Sequence, residues 1–387
     1  MNLNDSISLT NCGVQITDAC VQFILKHYFK DGDFKIEKAN LCRASDNMIG
    51  FLSDYWRLEI AVNTQDTVKV LHFFGKAISR SNPAKAAMVH EMKLFKKEVF
   101  FYDVIKKNMN VEDRLLRFDK AHTLQALHTL AAFHSTSLIY EENKRKLNAS
   151  YSIIDDYEEH LDKGGFNEEN LWFIQCMNGA LEAVKAYSKY QKLDIIKAID
   201  EKWKNVWISA LSLCDYSTVH RNVVCHRDLW NNNILFHYNK DNEPDGCVLV
   251  DFQAIKLQPP AGDVMSLLYC NLDPTFRDAN MPLFLDYYYD SLKIILEFNG
   301  CKVIPKDQFL KSAEEQRKWG LIMVGCLMPQ IIVSDELTTK TFTNTDRFED
   351  IMTRSKGEFI KEMMKDDIEY RIKVLEILEE IIDRYIL

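Results

Sequence analysis

Between Val223 and Phe236 the chain reads Val-Val-Cys-His-Arg-Asp-Leu-Trp-Asn-Asn-Asn-Ile-Leu-Phe, so apolar, β-branched runs flank a dense set of donors, acceptors and possible metal ligands. His226, Arg227, Asp228, Asn231, Asn232 and Asn233 make up that set, and its flanks predict a polar loop hung between two buried strands. A second apolar run, Cys247 to Val250, predicts another short strand that ends at Asp251 and is followed by Phe252 and Gln253. The spacing brings a second carboxylate to the same cleft. A carboxylate, an amide five positions later and a second carboxylate closing the next strand suit phosphoryl transfer from a magnesium-bound triphosphate. In that chemistry Asp228 orients an acceptor hydroxyl and takes its proton. Asn233 and Asp251 supply hard oxygen ligands, and magnesium prefers a few of these with water and phosphate oxygens over a full protein cage. An asparagine-rich turn between strands often does no more than satisfy its own backbone. Three separately required spacings agree here, which favours the chemical reading.

The elements that must hold these residues come from a chain of 387 residues with 47% apolar side chains, ample for a globular core. A formal net charge of -9 argues against nucleic acid or an anionic membrane surface as partner, since both need clustered Lys and Arg. A polyanion bound by such a chain must bring its own cations, as magnesium nucleotides do. The ten cysteines form no Cys-x-x-Cys pair, and Cys225, Cys247 and Cys326 sit in apolar runs, as reduced core residues of a cytoplasmic protein do. The start, Met-Asn-Leu-Asn-Asp-Ser, shows no basic and apolar leader, and the longest apolar stretch, Gly320 to Val333, contains Pro329 and is too short to span a bilayer.

Periodicity predicts a helix over Asp18 to Phe29 with Val21, Ile24, Leu25 and Tyr28 on one face. Strands follow at Phe34 to Lys38, Tyr55 to Asn63 and Thr67 to Ile78, forming a small antiparallel sheet with turns at Ser45-Asp-Asn47 and Thr64-Gln-Asp66. Pro83 opens a helix with Met88, Met92, Phe95, Val99 and Tyr102 as its core stripe and Glu98 beside it. A helix over Asp119 to Tyr140 places His128 and His134 near an apolar face, where they read as satisfied core residues, and no His or Cys cluster supports zinc. Asp155 to Ser212 is helical around a break at Lys163-Gly-Gly165, with Trp172, Phe173, Trp203 and Trp207 as packing anchors or as the wall of an apolar acceptor site. Asp263 could cap a helix through Met265, Leu268 and Tyr269; Met281 to Phe298 and Ile368 to Ile386 are further helices.

His226-Arg-Asp-Leu-Trp-Asn-Asn-Asn233 and Val250-Asp-Phe-Gln253, with Pro260-Ala-Gly-Asp263 after them, resemble the ecdysteroid kinase-like family of insects, which is similar in turn to choline kinases and aminoglycoside phosphotransferases. The Trp after Asp228, the Gln after Asp-Phe and the lack of a downstream Ala-Pro-Glu set the chain apart from eukaryotic protein kinases. The resemblance covers nearly the whole chain and is specific in its central third. It implies an α+β, two-lobed protein-kinase-like fold, with a shortened antiparallel-sheet lobe over residues 1–110 and a mostly helical lobe over 111–387 carrying the catalytic loop. It implies ATP and magnesium as cofactors and a hydroxyl of a small molecule, an ecdysteroid or a foreign alcohol being detoxified, as acceptor. His226, Asp228 and Asp263 are then the catalytic set, with Asp263 bracing the loop. Asn233 and Asp251 hold magnesium, while Lys76 binds phosphate, Glu98 holds that lysine, and the turn at Asn47 lies over the triphosphate, although taken by itself that turn reads more readily as an ordinary polar hairpin. After Ile105 the family continues into two strands and a hinge, for which Lys106-Lys-Asn-Met-Asn110 leaves no room. A catalytically silent binding module and a choline or ethanolamine kinase are the alternative functions.

Overall fold

The computed structural model describes residues 8–11, 14–29, 34–44, 53–64, 67–79, 82–91, 118–157, 165–333, 341 and 344–387. The chain divides into two compact units, residues 1–91 with 334–351, and residues 92–333 with 352–387. The smaller unit is therefore not the uninterrupted segment 1–110 of the sequence reading, because it takes in a stretch from near the C-terminus. Architecture is α+β as expected, a small antiparallel sheet in the first unit and a mostly helical second unit. Asn47, Glu98 and the stretch 106–110, read as too short for the family's strands and hinge, lie outside the described residues.

The first unit opens with a hairpin that the sequence did not announce, β1 (Ser8–Asn11) against β2 (Val14–Thr17). Helix α1 (Asp18–Phe29) follows, over the span that periodicity predicted. Val21 and Leu25 are its buried contacts, whereas Tyr28, expected on the same face, is 56% exposed and meets Phe29 and Phe73 edge-on. Strands β3 (Lys35–Arg43), β4 (Ser53–Thr64) and β5 (Thr67–Ile78) form the sheet in that order, all antiparallel. Strand β4 alternates with period two, turning Trp56, Leu58, Ile60 and Val62 inward onto Val21, Leu25 and Leu41. Lys76 stands opposite Tyr55 in the register, half-buried, with its ammonium 6.0 Å from the Tyr55 ring centre. Pro83 begins α2, described to Glu91, whose buried positions are Lys85 and Val89 one turn apart; Met88 is only half-buried.

The second unit is built on α3 (Lys120–Arg145), started by Asp119, whose carboxylate accepts the His122 N–H. His134 is fully buried on this helix, but His128 faces solvent, so only one of the two expected core histidines is one. A short turn, α4 (Ile153–Tyr157), precedes α5 (Leu171–Tyr187) and α6 (Leu193–Leu211). Trp172, Phe173, Trp203 and Trp207 are buried, with the Trp203 and Trp207 rings 5.6 Å apart, and so serve as core anchors. Then come β6 (Val223–Cys225), β7 (Ile234–Tyr238), β8 (Pro244–Leu249) and β9 (Lys256–Gln258), paired as β6 with β9 and β7 with β8. The rest is helical: α7 (Ala261–Asn271), α8 (Pro274–Phe298), α9 (Lys306–Ile331), α10 (Thr345–Thr353, crossing the unit boundary), α11 (Lys356–Asp366) and α12 (Ile368–Tyr385). Along α12, Tyr370, Val374, Ile377, Leu378, Ile381 and Ile382 form the expected buried stripe. Helices α7 and α9 approach so closely that a Cβ on Gly320 would lie 2.9 Å from Met265 Cβ. The described cysteines are free thiols, and none of the described helices is long and apolar enough to cross a membrane.

Candidate active site

The polar loop lies where its flanks placed it, because β6 is buried at all three positions and ends at Cys225, opposite Lys256 of β9. Two non-glycine residues of this region adopt left-handed backbone, Arg227 with φ 66 and Asp251 with φ 65. Each such residue costs on the order of 1–3 kcal/mol, so the surroundings must hold it in place. For Arg227 the support is Asp263, whose two oxygens accept the backbone N–H of His226 at 2.5 Å and of Arg227 at 2.9 Å. Asp263 is thus not a helix cap: Pro260 occupies that position, and Asp263 sits inside the first turn of α7 with its carboxylate turned to the loop. The Arg227 guanidinium is buried beside the Phe166 and Trp319 rings, 5.1 and 5.2 Å from their centres, and those two rings meet edge-on at 4.9 Å.

His226 is fully buried and both ring nitrogens are committed. Nδ1 accepts the Asp228 N–H at 3.2 Å and Nε2 donates to the Val250 carbonyl at 2.9 Å, which fixes the neutral Nε2–H tautomer. His226 therefore shapes the loop through backbone groups and does not meet a substrate. Asn233 is the second tie. Its side-chain nitrogen donates to Asp228 twice, to the backbone carbonyl and to carboxylate Oδ2, both at 2.9 Å, while the Asn233 backbone carbonyl accepts the Val250 N–H at 3.0 Å. Asp228, Asn233, and Val250 with Asp251 after it are so fastened into one constellation. His226 and Asp263 stand behind it, and Lys76 belongs to the other unit.

Behind Asp263 the structure adds residues the sequence did not single out for this role. His134 Nε2 donates to Asp263 Oδ2 at 3.1 Å, and its Nδ1 lies 2.6 Å from the Tyr288 hydroxyl. Asn271 donates to the Leu229 carbonyl at 2.6 Å, anchoring the loop's middle from the far end of α7. None of these pairs is near in sequence, and only the separate signals of a buried histidine and an aromatic helix were visible. Cys225 joins the group as well: ligating atoms of His134, Cys225 and Asp263 lie within 4.8 Å of one another. The sequence showed no such cluster, but hydrogen bonds fill the His134 nitrogens and both Asp263 oxygens, so the trio works as a brace.

Burial alone would raise the Asp263 carboxyl, but the His134 hydrogen bond, together with His134 and His226 nearby, holds it below the ordinary carboxylate value. Burial pushes His226 below its ordinary value of 6.5. Both shifts act the same way. Below the ordinary histidine range the unfolded chain takes up a proton at His226 that the folded chain refuses, and lower still it protonates Asp263 while the folded chain keeps it ionised. The unfolded state then binds more protons, so stability is complete above that range and falls as pH descends through it. Urea midpoints measured from neutrality downward will show this decline beginning in the histidine range; a flat profile down to the carboxylate range would refute the assignment.

Comparison with known proteins adds the following. A family model described as the ecdysteroid kinase-like family matches residues 103–299. No curated protein matches the chain. Among solved structures the chain is similar to a choline kinase from Cryptosporidium parvum, with 12% identity, TM-score 0.44, and 95% of this chain and 98% of that one covered. It is similar to a Plasmodium vivax ethanolamine kinase, with 13% identity, TM-score 0.47, and 92% and 86% covered. A third is the choline kinase LicA from Streptococcus pneumoniae, with 11% identity, TM-score 0.37, and 94% and 99% covered.

Proposed function

The chain belongs to the ecdysteroid kinase-like family, and from that premise we propose that it transfers the γ-phosphoryl group of ATP to a hydroxyl of a small molecule, a steroid such as an ecdysteroid or a foreign alcohol. The observation that carries the reading is the Asn233 amide locking the Asp228 carboxylate beside the end of β8. The Asp228 carboxylate is the group assigned to the acceptor hydroxyl, whose proton it takes as the new O–P bond forms. Asp263 and His226 keep that carboxylate in place from the buried side.

The donor set fits magnesium. With its nitrogen committed to Asp228, Asn233 has its carbonyl oxygen left as a ligand, and together with the Asp251 carboxylate this is the hard, oxygen-only set that magnesium takes. Bound there, the ion would neutralise charge on the phosphates. Lys76 keeps the phosphate-binding role that the family implies.

The test is an ATP-consumption screen against hydroxylated steroids and plant alcohols, with and without magnesium. Asp251→Ala should abolish the magnesium-dependent rise in melting temperature that ATP gives the wild type. A rise that survives both this change and a chelator would count against the metal assignment, and a panel without any turnover would count against the acceptor class.

A further inference from the structure

Lys356, the first residue of α11, is fully buried, and no carboxylate among the described residues pairs with it. Its ammonium instead donates to Cys176 Sγ of α5 at 3.3 Å, lies 4.0 Å from Met352 Sδ, and stands 5.6 Å from the centre of the Trp172 ring. The helices hold this contact tightly. A Cβ on Gly179 would come within 3.1 Å of the Gly357 nitrogen, so α5 and α11 touch backbone to backbone one turn from the Cys176–Lys356 pair. A second thiol, Cys326 of α9, is also fully buried nearby, with the Cys176 Sγ 3.7 Å from its carbonyl oxygen.

A buried ammonium needs a counter-charge. Among the described residues, the group in contact that can supply it is the Cys176 sulfur, as thiolate. Burial pushes the Cys176 thiol up, but the hydrogen bond from Cys326 and the Lys356 charge bring it down to about 7. Burial pushes Cys326 well above the ordinary range, so it remains a thiol.

We propose that Cys176 and Lys356 form a peroxide-triggered covalent bridge, a sulfenamide joining Sγ to Nζ and tying α5 to α11. The thiolate attacks a peroxide oxygen, the O–O bond breaks, and sulfur becomes a sulfenic acid, oxidised by two electrons as the peroxide is reduced. The hydroxide released takes a proton from the Lys356 ammonium, giving water and a neutral amine. That amine attacks the sulfenic sulfur, the S–N bond forms, and the sulfenic oxygen leaves as a second water with the amine's proton. One thiol, one amine and one hydrogen peroxide thus give one S–N bond and two waters. Cys176 is 2% exposed, so only a small peroxide entering during local opening reaches it. The same closure keeps a second peroxide from carrying the sulfur on to sulfinic acid.

The experiment is peptide mass mapping of the folded protein after graded hydrogen peroxide, with oxidation of the exposed Cys20 as the dose gauge. The expected product is a cross-linked pair of peptides containing Cys176 and Lys356, two hydrogens lighter than their sum and separated again by dithiothreitol. Cys326→Ala should keep this product, and Lys356→Met, which removes both the amine and the charge that supports the thiolate, should lose it and leave Cys176 a thiol. A Cys176–Cys326 disulfide, a bridge retaining an extra oxygen, or unmodified Cys176 at doses that consume Cys20 would each overturn the proposal. The readout needs no phosphoryl transfer, so it stands or falls separately from the proposed function.

Discussion

Asp228→Asn is expected to lower the rate of phosphoryl transfer by about two to four orders of magnitude, the usual worth of a positioned acid or base. The substitution is nearly isosteric, and an asparagine can still present a carbonyl oxygen to the Asn233 amide that now holds Oδ2. The loop should therefore keep its shape, and what is lost is the oxygen that accepts the hydroxyl proton. Turnover with a responsive acceptor, measured beside the melting temperature and its rise on adding ATP and magnesium, separates these effects. Equal turnover in the variant and the wild type would remove Asp228 from the mechanism, whereas lost turnover with a collapsed melting temperature would show a structural role instead.

The second large effect is expected at Asp263. Its carboxylate is fully buried and takes three hydrogen bonds, from two consecutive backbone N–H groups and from His134. Asp263→Ala strands all three donors where water does not reach and withdraws the support of the left-handed Arg227. Breaking such a buried charged arrangement from one side costs about 3–5 kcal/mol. Asp263→Asn should fall between, since an amide oxygen still accepts from the backbone but its NH2 faces donors. Urea denaturation gives the stability and turnover gives the loop. An alanine variant of wild-type stability and rate would mean that Asp263 braces nothing.

Much of this was legible before any coordinates. Residues close in sequence with strict local requirements read correctly, because a polar loop between β-branched runs has few ways to fold; β6 and β7 lie where the sequence placed them, while β8, expected from Cys247, already begins at Pro244. The span of α1 was legible for the same local reason. What did not read was contact across long separations. Nothing in the spacing of His134, Asp263 and Tyr288 says that they meet, since each alone is an ordinary core or capping residue. Asp263 was read both as a helix cap and, by family resemblance, as a brace, and only tertiary packing decides which way a carboxylate in a first helical turn points. His128 and His134 looked alike on one helix because periodicity fixes relative angles, and a neighbouring helix decides which angle is inside. Lys356 gave no signal, since a lysine at a helix start is normally solvated.

Gly320 has a mechanical meaning. With Met265 Cβ only 2.9 Å from where its own Cβ would be, α9 meshes with α7 like a gear without backlash. Turning α9 about its axis would swing Trp319 or Leu321 into a space that admits no side chain, so rotation is blocked in both senses. The two helices must travel as one body, and Asp263, in the first turn of α7, is bolted to the loop at His226 and Arg227. A side chain placed at Gly320 would therefore push on α7 and, through Asp263, on the backbone beside Asp228.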